Sequence, residues 1–419
     1  MRHYPATDFA RAQAGSRQTL MQAIFAIVLA GSSYVWAVDF LLPSPATITT
    51  IKRHLSVPEE MLVKALIEVS ENRIGSALDQ IESLLSVSPN FRLAQLVKGD
   101  LLLARSRPID TVGAGMSSAN KATDLRAEAK ARLARYAFQP RADLIPQYVL
   151  ELPSSQKYAL VLDSSKSTLF VFENKDNGLH YVADYYMSVG KNGTDKKREG
   201  DKRTPLGVYH ITSKLTPEKL TDFYGTGAFP INYPNEWDRL RGRNGYGIWL
   251  HGTPFDTYSR PPRASDGCVV LANEDMLELD QYVVPGTTPV IIAENIEWRD
   301  PEETNTVRRE LAASVEQWRH DWASRDTDVY LQHYSGRFSA NGADLDQWSV
   351  RKRRVNAQKE WINVDISDLS MILYPGDSSL ALVSFKQDYA SSNLVNSMHK
   401  RQYWVREGNR WKILYEGGA

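Results

Sequence analysis

The hydrophobic periodicity of this chain changes several times, and these changes constrain its fold more than any other feature. Apolar residues first recur at helical spacing, from about residue 56 to residue 136. Short apolar runs bounded by turn residues then predict strands, and a second helical pattern is followed by long strand-like runs. This order predicts an α+β protein of several domains. The expected domains are a helical region at 56–150, a mostly β domain at 157–294, and a domain of helices followed by a sheet at 305–419.

The helical region contains three helical patterns up to Ala104 and a short charged helix at Leu125–Tyr136. Paired helices of this length, with Ala77 and Leu78 in mid-helix, are typical of a tetratricopeptide-like unit. A plain helical hairpin has the same pattern, and a stable array needs about three repeats. Both interpretations remain open.

An apolar run from Leu20 to Leu42 is long enough to cross a bilayer as a helix. It is preceded by three arginines, Arg2, Arg11 and Arg17. Positive charge on this side predicts a cytoplasmic leader at residues 1–19 and an exported body. A cleaved signal peptide is the main alternative, because residues 35–37 resemble a cleavage site, and a buried core helix is another. We expect a periplasmic protein that is anchored in the inner membrane through residues 20–42.

The composition excludes several classes of function. The chain has 419 residues, with 50 Lys and Arg against 50 Asp and Glu, so its formal net charge is zero. A zero balance argues against a nucleic-acid-binding protein. Cys268 is the only cysteine, which excludes an internal disulfide and a multi-cysteine zinc site. Neither a phosphate-binding loop, a dinucleotide fingerprint nor metal-ligand spacing is present, so no metal and no cofactor is expected.

The residues that carry chemistry are His251 and Cys268, which are 17 positions apart. A histidine within hydrogen-bond reach would convert the thiol into a thiolate–imidazolium pair. Gly267 leaves room for a substrate carbonyl and for backbone donors to its oxyanion. A lone cysteine is more often a small buried hydrophobic residue. This one, however, lies in a polar turn, Ser265-Asp266-Gly267, of a chain predicted to be exported, which favours a nucleophile.

The order of these motifs resembles the L,D-transpeptidase catalytic domain of the YkuD-like family. TPxG at 204–207, HGT at 251–253 and SxGC at 265–268 follow an opening pair of strands, YALVLDSSKSTLFVFE, and the resemblance covers residues 157–294. It implies a mostly β, sandwich or barrel-like fold. It also implies a cysteine acyltransferase that acts on the tetrapeptide stems of peptidoglycan.

By this resemblance Cys268 is the nucleophile and His251 is the general base, which later returns the proton to the leaving group. The carbonyl of Gly252 would orient the imidazole. Ser265 and Gly267 would shape the turn whose backbone N–H groups form the oxyanion hole. Cys268 would attack the carbonyl of the third stem residue and release D-alanine. An amine or water would then take the acyl group.

Substrate contacts are expected from four further residues: Thr253, Tyr233, Arg263 and Asp266. Many members of the family carry His or Ser at the position of Asp266, and Arg or Asn at that of Val270. A carboxylate near the thiolate would oppose its ionisation unless Asp266 points away or pairs with an arginine, and we expect it to pair with Arg260 or Arg263. Tyr233 belongs to an aromatic group that forms either a lid or local packing; its other members are Tyr224, Phe229 and Trp237.

The C-terminal sequence YWVREGNRWKILYEG resembles the closing hairpin of the cone-shaped fold shared by nuclear-transport-factor-like and SnoaL-like domains. This resemblance covers residues 305–419 and carries no catalytic motif. Three functions therefore remain open. They are an L,D-transpeptidase of the cell wall, a carboxypeptidase or hydrolase of peptidoglycan or its protein attachments, and a non-catalytic scaffold. A protein partner could bind to the helical or the C-terminal domain.

Overall fold

The computed structural model describes residues 56–418, except for 108–112, 114, 117, 139–140, 142, 177 and 341. The predicted leader and membrane anchor lie outside these residues. Among the residues that are described, no helix is both long and apolar enough to cross a membrane.

The helical region folds into helices that pack successively against each other. They are α1 Val57–Ser70, α2 Ile74–Val87, α3 Arg92–Ala104 and α4 Ala119–Ala137. Pro58 and two acidic residues in the first turn favour the start of α1, since proline fixes the helical φ angle and carboxylates suit a helix N-terminus. Apolar residues at helical spacing, such as Leu62, Ala77 and Leu84, are buried, and the same hydrophobic cluster includes Tyr258 and Ala272 of the next domain.

The central domain is mostly β, as the sequence predicts. Two short strands come first, which the sequence did not indicate: β1 Ile145–Pro146 and β2 Val149–Glu151. The domain itself contains β3 Tyr158–Asp163, β4 Thr168–Lys175, β5 Gly178–Tyr186, β6 Val189–Gly190, β7 Gly207–His210, β8 Ala228–Pro230, helix α5 Glu236–Leu240, β9 Trp249–His251, β10 Arg263–Ser265, β11 Val269–Val270, helix α6 Asn273–Leu279 and β12 Pro289–Ala293.

These strands form two main sheets around one core. A five-stranded sheet has the order β5-β4-β3-β12-β7, and a three-stranded sheet has the order β11-β9-β8. β3 and β4 form the predicted hairpin. β9 and β11, which carry the motif residues, are parallel neighbours. Side chains from both sheets, such as Leu160, Ile292 and Leu250, share a hydrophobic cluster.

The C-terminal domain has helices that pack against a long antiparallel sheet. Its elements are β13 Trp298–Arg299, α7 Pro301–Ala323, α8 Thr327–Leu331, β14 Ser339–Ala340, β15 Ala343–Asp344, α9 Leu345–Asn356, β16 Ile362–Tyr374, β17 Asp377–Ser391, β18 Leu394–Glu407 and β19 Arg410–Gly418. The order of the main sheet is β19-β18-β17-β16-β2, so its edge strand comes from residues before the central domain. The central domain is thus inserted between the strands of this sheet.

The central and C-terminal domains share a continuous interface. One hydrophobic cluster contains C-terminal residues together with Val161, Phe170 and Val208 of the five-stranded sheet. At the edge of this interface, the ring of Trp237 on α5 stacks on Tyr403, with 5.8 Å between ring centroids. Such contacts make the C-terminal domain part of the support of the five-stranded sheet.

Candidate active site

The parallel pairing of β9 with β11 brings together the two residues that the sequence singled out. In this register Val270 lies opposite His251, and Cys268 lies in the turn that enters β11. The imidazole is buried, whereas Cys268 keeps partial exposure. A nucleophile that solvent can reach beside a shielded base is the arrangement that cysteine acyl transfer needs.

The imidazole of His251 is oriented by the main chain. Its Nδ1 lies 2.7 Å from the carbonyl oxygen of Gly252. Because a carbonyl can only accept, Nδ1 must carry the proton and donate it, which leaves Nε2 of the neutral ring as the basic nitrogen. The rings of Tyr224 and Phe223 lie 5.1 and 5.6 Å from the imidazole, measured between centroids.

Short hydrogen bonds hold the cysteine turn in shape. Ser265 Oγ accepts from the N–H of Gly267 at 3.1 Å and donates to the carbonyl of Cys268 at 2.6 Å. Thr204 Oγ1 donates to the carbonyl of Gly267 and accepts from the N–H of Gly190, both at 2.9 Å. The threonine of the TPxG motif therefore connects the cysteine turn to the end of β6.

Glycine is required at position 267 for two reasons. Its φ angle is +132°, a conformation that residues with a Cβ rarely adopt. A Cβ there would lie 2.9 Å from the carbonyl oxygen of Arg203. The SxGC motif thus records a backbone requirement as well as a chemical one.

The electrostatics of the pair favour the neutral form of both groups. Burial raises the pKa of the Cys268 thiol, and the backbone of Trp249 and the guanidinium of Arg260 only partly oppose this. Burial lowers the pKa of His251 to about 4. The thiol also donates a hydrogen bond to the carbonyl of Gly247 at 3.3 Å. The resting state therefore differs from the thiolate–imidazolium pair that the sequence predicts.

Asp266 is paired, but not with an arginine. Its carboxylate lies 3.1 Å from Nζ of Lys191, and both side chains are more than half exposed. The prediction that Asp266 pairs with Arg260 or Arg263 is therefore wrong. Arg263 is an exposed residue of β10, where its main chain pairs with Val189. The charge of Asp266 is neutralised instead by Lys191, in the loop after β6. This pairing could not be predicted, because the two residues are far apart in the sequence.

Two of the predicted substrate contacts use their polar groups inside the protein. Thr253 is fully buried and its hydroxyl donates to the carbonyl of Tyr258 at 3.3 Å. Tyr233 is buried in the core and its hydroxyl donates to the carbonyl of Asn244 at 3.0 Å. Neither hydroxyl group is placed to contact a substrate. Thr253 and Tyr233 therefore have structural roles and not the predicted role in substrate binding.

The aromatic group around Tyr233 does not form a single lid. Tyr224 lies against Trp249 with ring centroids 4.8 Å apart, next to the imidazole. Phe229 is in the core and Trp237 is at the interface with the C-terminal domain. Only Tyr224 of the four is placed near the candidate nucleophile.

Asn273 was missed by the sequence analysis. Its Oδ1 accepts from the N–H groups of Thr226 and Thr253, both at 3.1 Å, and its Nδ2 donates to the carbonyl of Thr253 at 2.9 Å. It thus fixes the chain that follows His251. No motif marks this asparagine, which is simply the first residue of α6. Within the described part of the chain, no cluster of His, Cys, Asp or Glu is arranged to hold a metal.

Comparisons with known proteins match the domain that contains these residues. Residues 157–292 match the model of the L,D-transpeptidase catalytic domain, YkuD. The structure of Bd1075 from Bdellovibrio bacteriovorus is 30% identical, with a TM-score of 0.58, and the match covers 66% of this chain and 98% of that one. The chain belongs to the YkuD family. The predicted family is therefore confirmed.

Further matches extend beyond the catalytic domain of this YkuD-family protein. Residues 310–417 match the model of the Cds6 C-terminal NTF2-like domain, which confirms the predicted fold class. The helical cell shape determining protein Pgp2 from Campylobacter jejuni is 26% identical, with a TM-score of 0.54, over 62% of this chain and 91% of Pgp2. No curated protein matches the chain.

Proposed function

We propose that this YkuD-family protein is an L,D-transpeptidase that forms a thioester at Cys268 with the tetrapeptide stems of peptidoglycan. The observation that carries this proposal is the fixed imidazole of His251. Its Nδ1 is engaged by the Gly252 carbonyl, and its strand is the neighbour of the strand that Cys268 enters. The family match supports chemistry on peptidoglycan peptides.

The first step starts from a neutral thiol. Nε2 of His251 takes the thiol proton as the sulfur attacks the carbonyl carbon of the third stem residue. The bond from that carbon to the nitrogen of D-alanine breaks, and the imidazolium gives its proton to the departing amine. Because the Gly267 N–H already donates to Ser265, we assign the oxyanion contact to the backbone N–H of Cys268.

In the second step an amine of another stem attacks the thioester. His251 takes the proton of this amine and returns it to the sulfur of Cys268, which leaves as a thiol. The product is a cross-link between two stems. Since the relative Pgp2 is named for its part in helical cell shape, we propose that this chain also acts in remodelling a cell wall.

A second candidate, a carboxypeptidase that gives the same thioester to water, is supported by Val270. This side chain is buried beside His251 and offers no polar group, where many members of the family carry Arg or Asn. A site that lacks this polar group has one contact fewer to hold a second stem.

Tetrapeptide muropeptides incubated with the full chain, followed by mass spectrometry, test both candidates. Cross-linked dimers would support the transpeptidase and tripeptides the carboxypeptidase. The Cys268→Ala variant is the control and should yield neither. Unchanged muropeptides with a folded wild-type protein would contradict both candidates and favour the scaffold.

We also propose that the protein works in the periplasm and is held at the inner membrane by residues 20–42. The proposal is supported by the length of this apolar run and by the arginines before it. Fusion of a periplasm-dependent reporter to the C-terminus should give an active reporter, in the membrane fraction. A soluble, shortened product would show a cleaved signal, and an inactive reporter would contradict export.

A further inference from the structure

A guanidinium group lies beside the candidate catalytic pair. Cζ of Arg260 is 4.8 Å from the ring centroid of Phe223, and the same ring lies 5.6 Å from the imidazole of His251. The positive charge of Arg260 lowers the pKa of both His251 and Cys268, as expected of a cation close to each. Phe223 is half exposed, so the guanidinium of Arg260 that stacks on it lies at the rim of the site.

This guanidinium has no partner among the residues that the structure describes. It forms neither an ion pair nor a hydrogen bond with them, and its contacts are the stacking on Phe223 and longer-range charge interactions. Burial lowers the pKa of Arg260, so the cation has already lost part of its hydration. A partly desolvated cation without a partner is unfavourable, and an anionic ligand would relieve this.

The main chain around Arg260 is fixed on both sides. The hydroxyl of Tyr186 donates to the carbonyl of Arg260 at 3.0 Å, and that of Ser188 donates to the carbonyl of Pro261 at 2.5 Å. Ser259 donates to the buried carboxylate of Glu128 on α4 at 2.6 Å. The arginine is thus presented by a rigid loop, while only its head group lacks a partner.

We propose that Arg260 binds the carboxylate of the departing D-alanine and so selects stems with a free C-terminus at the scissile residue. A guanidinium and a carboxylate fit as a bidentate pair, which a lysine reproduces only as a point charge. Many members of the family carry Arg or Asn at the position of Val270 on β11. In this chain the cation comes instead from Arg260, in the loop at 254–262. This proposal rests on the proposed function, since it names the substrate feature that the same site recognises.

The test compares two tetrapeptide substrates, one with a terminal D-alanine carboxylate and one with a terminal D-alaninamide. Wild-type kcat/KM should be higher for the carboxylate by roughly 10–100-fold, the usual effect of one charge-assisted contact. Arg260→Gln should lose this preference by slowing only the carboxylate substrate, and Arg260→Lys should keep part of it. Arg354→Gln, an exposed arginine on α9, is the control and should leave the preference unchanged.

Binding gives a readout that does not need turnover. Cys268→Ala should bind the carboxylate peptide more tightly than the amide by calorimetry, and adding Arg260→Gln should abolish the difference. Equal slowing of both substrates by Arg260→Gln, with a shifted pH profile of iodoacetamide labelling, would overturn the proposal, because the arginine would then act on the thiol alone. A preference that depends on a carboxylate in the third residue would also overturn it. Wild-type protein that releases no D-alanine would instead contradict the proposed function.

Discussion

At the scale of single residues, burial decides how Cys268 and His251 are charged. Burial disfavours the charged form of each group, so the thiol pKa rises and the imidazole pKa falls to about 4. The unfolded chain binds a proton to His251 more readily than the folded protein does. Stability should therefore decline as the pH falls from about 6.5, the ordinary histidine value, towards about 4. In the mechanism that we propose, the thiol proton is therefore transferred during the attack and not before it.

The pH dependence of alkylation checks this assignment. The midpoint of iodoacetamide labelling should lie above the ordinary thiol pKa of about 8.5, because burial stabilises the neutral thiol. No second step is expected near pH 6.5, since His251 stays neutral down to about pH 4. A midpoint well below 8, or a clear step near 6.5, would show an ion pair in the resting protein.

Covalent catalysis is tested at Cys268 directly. A carbapenem should acylate the wild-type chain once, as measured by intact mass. His251→Ala should slow this reaction by roughly two to four orders of magnitude, the usual contribution of a general base. An adduct that persists in Cys268→Ala would rule out this cysteine as the nucleophile.

Asp266 should affect the thiol only weakly, because its carboxylate is exposed and paired with Lys191. Its charge raises the thiol pKa, so Asp266→Ser should lower the labelling midpoint, by less than about one pH unit. Lys191→Ala, which leaves the carboxylate without its partner, should move the midpoint in the opposite direction. A drop of more than a full unit for Asp266→Ser would show that the carboxylate faces the sulfur.

At the scale of elements, the turn before β11 depends on contacts with distant loops. Thr204 holds the carbonyl of Gly267, and Asn273 holds the chain after His251 from the start of α6. β9 and β11 are short, so these side chains, and not a long strand ladder, set the positions of His251 and Cys268.

Gly267→Ala tests the geometry of this turn. The new Cβ would meet the carbonyl of Arg203, and the φ angle of +132° would strain it, at a cost of roughly 1–3 kcal/mol. Both the melting temperature and the rate of acylation should fall. Gly336→Ala is the matched control, because nothing lies within 4 Å of its Cβ and its φ is not in the left-handed region. A normal rate of acylation of the Gly267→Ala variant would show that the turn tolerates a side chain.

At the scale of the whole molecule, both flanking domains support the catalytic domain. The helical region buries Tyr258 against Phe91, with 4.2 Å between ring centroids, and so holds the loop that presents Arg260. The C-terminal domain covers the other side of the five-stranded sheet and receives β2 as an edge strand. Removing either would expose apolar surface of the catalytic domain.

Phe91→Ala measures the coupling between the helical region and the site. Loss of a fully buried ring should lower the free energy of unfolding by roughly 3–5 kcal/mol. Because the Tyr258 loop loses its packing, kcat/KM should fall even at temperatures where the variant is folded. Leu102→Ala, a partly exposed position on α3, should change neither quantity greatly. Full activity of a folded Phe91→Ala protein would restrict the helical region to a stabilising role.

The sequence by itself determined the order of helices and strands, the family and the identity of the candidate nucleophile and base. These predictions rest on local patterns. They are the apolar periodicity, and the motifs in which glycines lie beside the residues whose chemistry is required, Cys268 and His251. The β3–β4 hairpin could be predicted because its partners are adjacent in the chain.

Only the tertiary structure decided which distant groups meet. Lys191 pairs with Asp266 because the loop after β6 lies beside the cysteine turn, and β2 joins a sheet more than 200 residues away in the chain. Arg260 reaches the site through the packing of its loop on α4. Exposed ion pairs and buried polar contacts leave no periodic pattern in the sequence. Their partners are therefore determined only by which residues lie close together in the folded protein. Burial likewise set the protonation of Cys268 and His251, because the desolvation that shifts a pKa exists only in the folded protein.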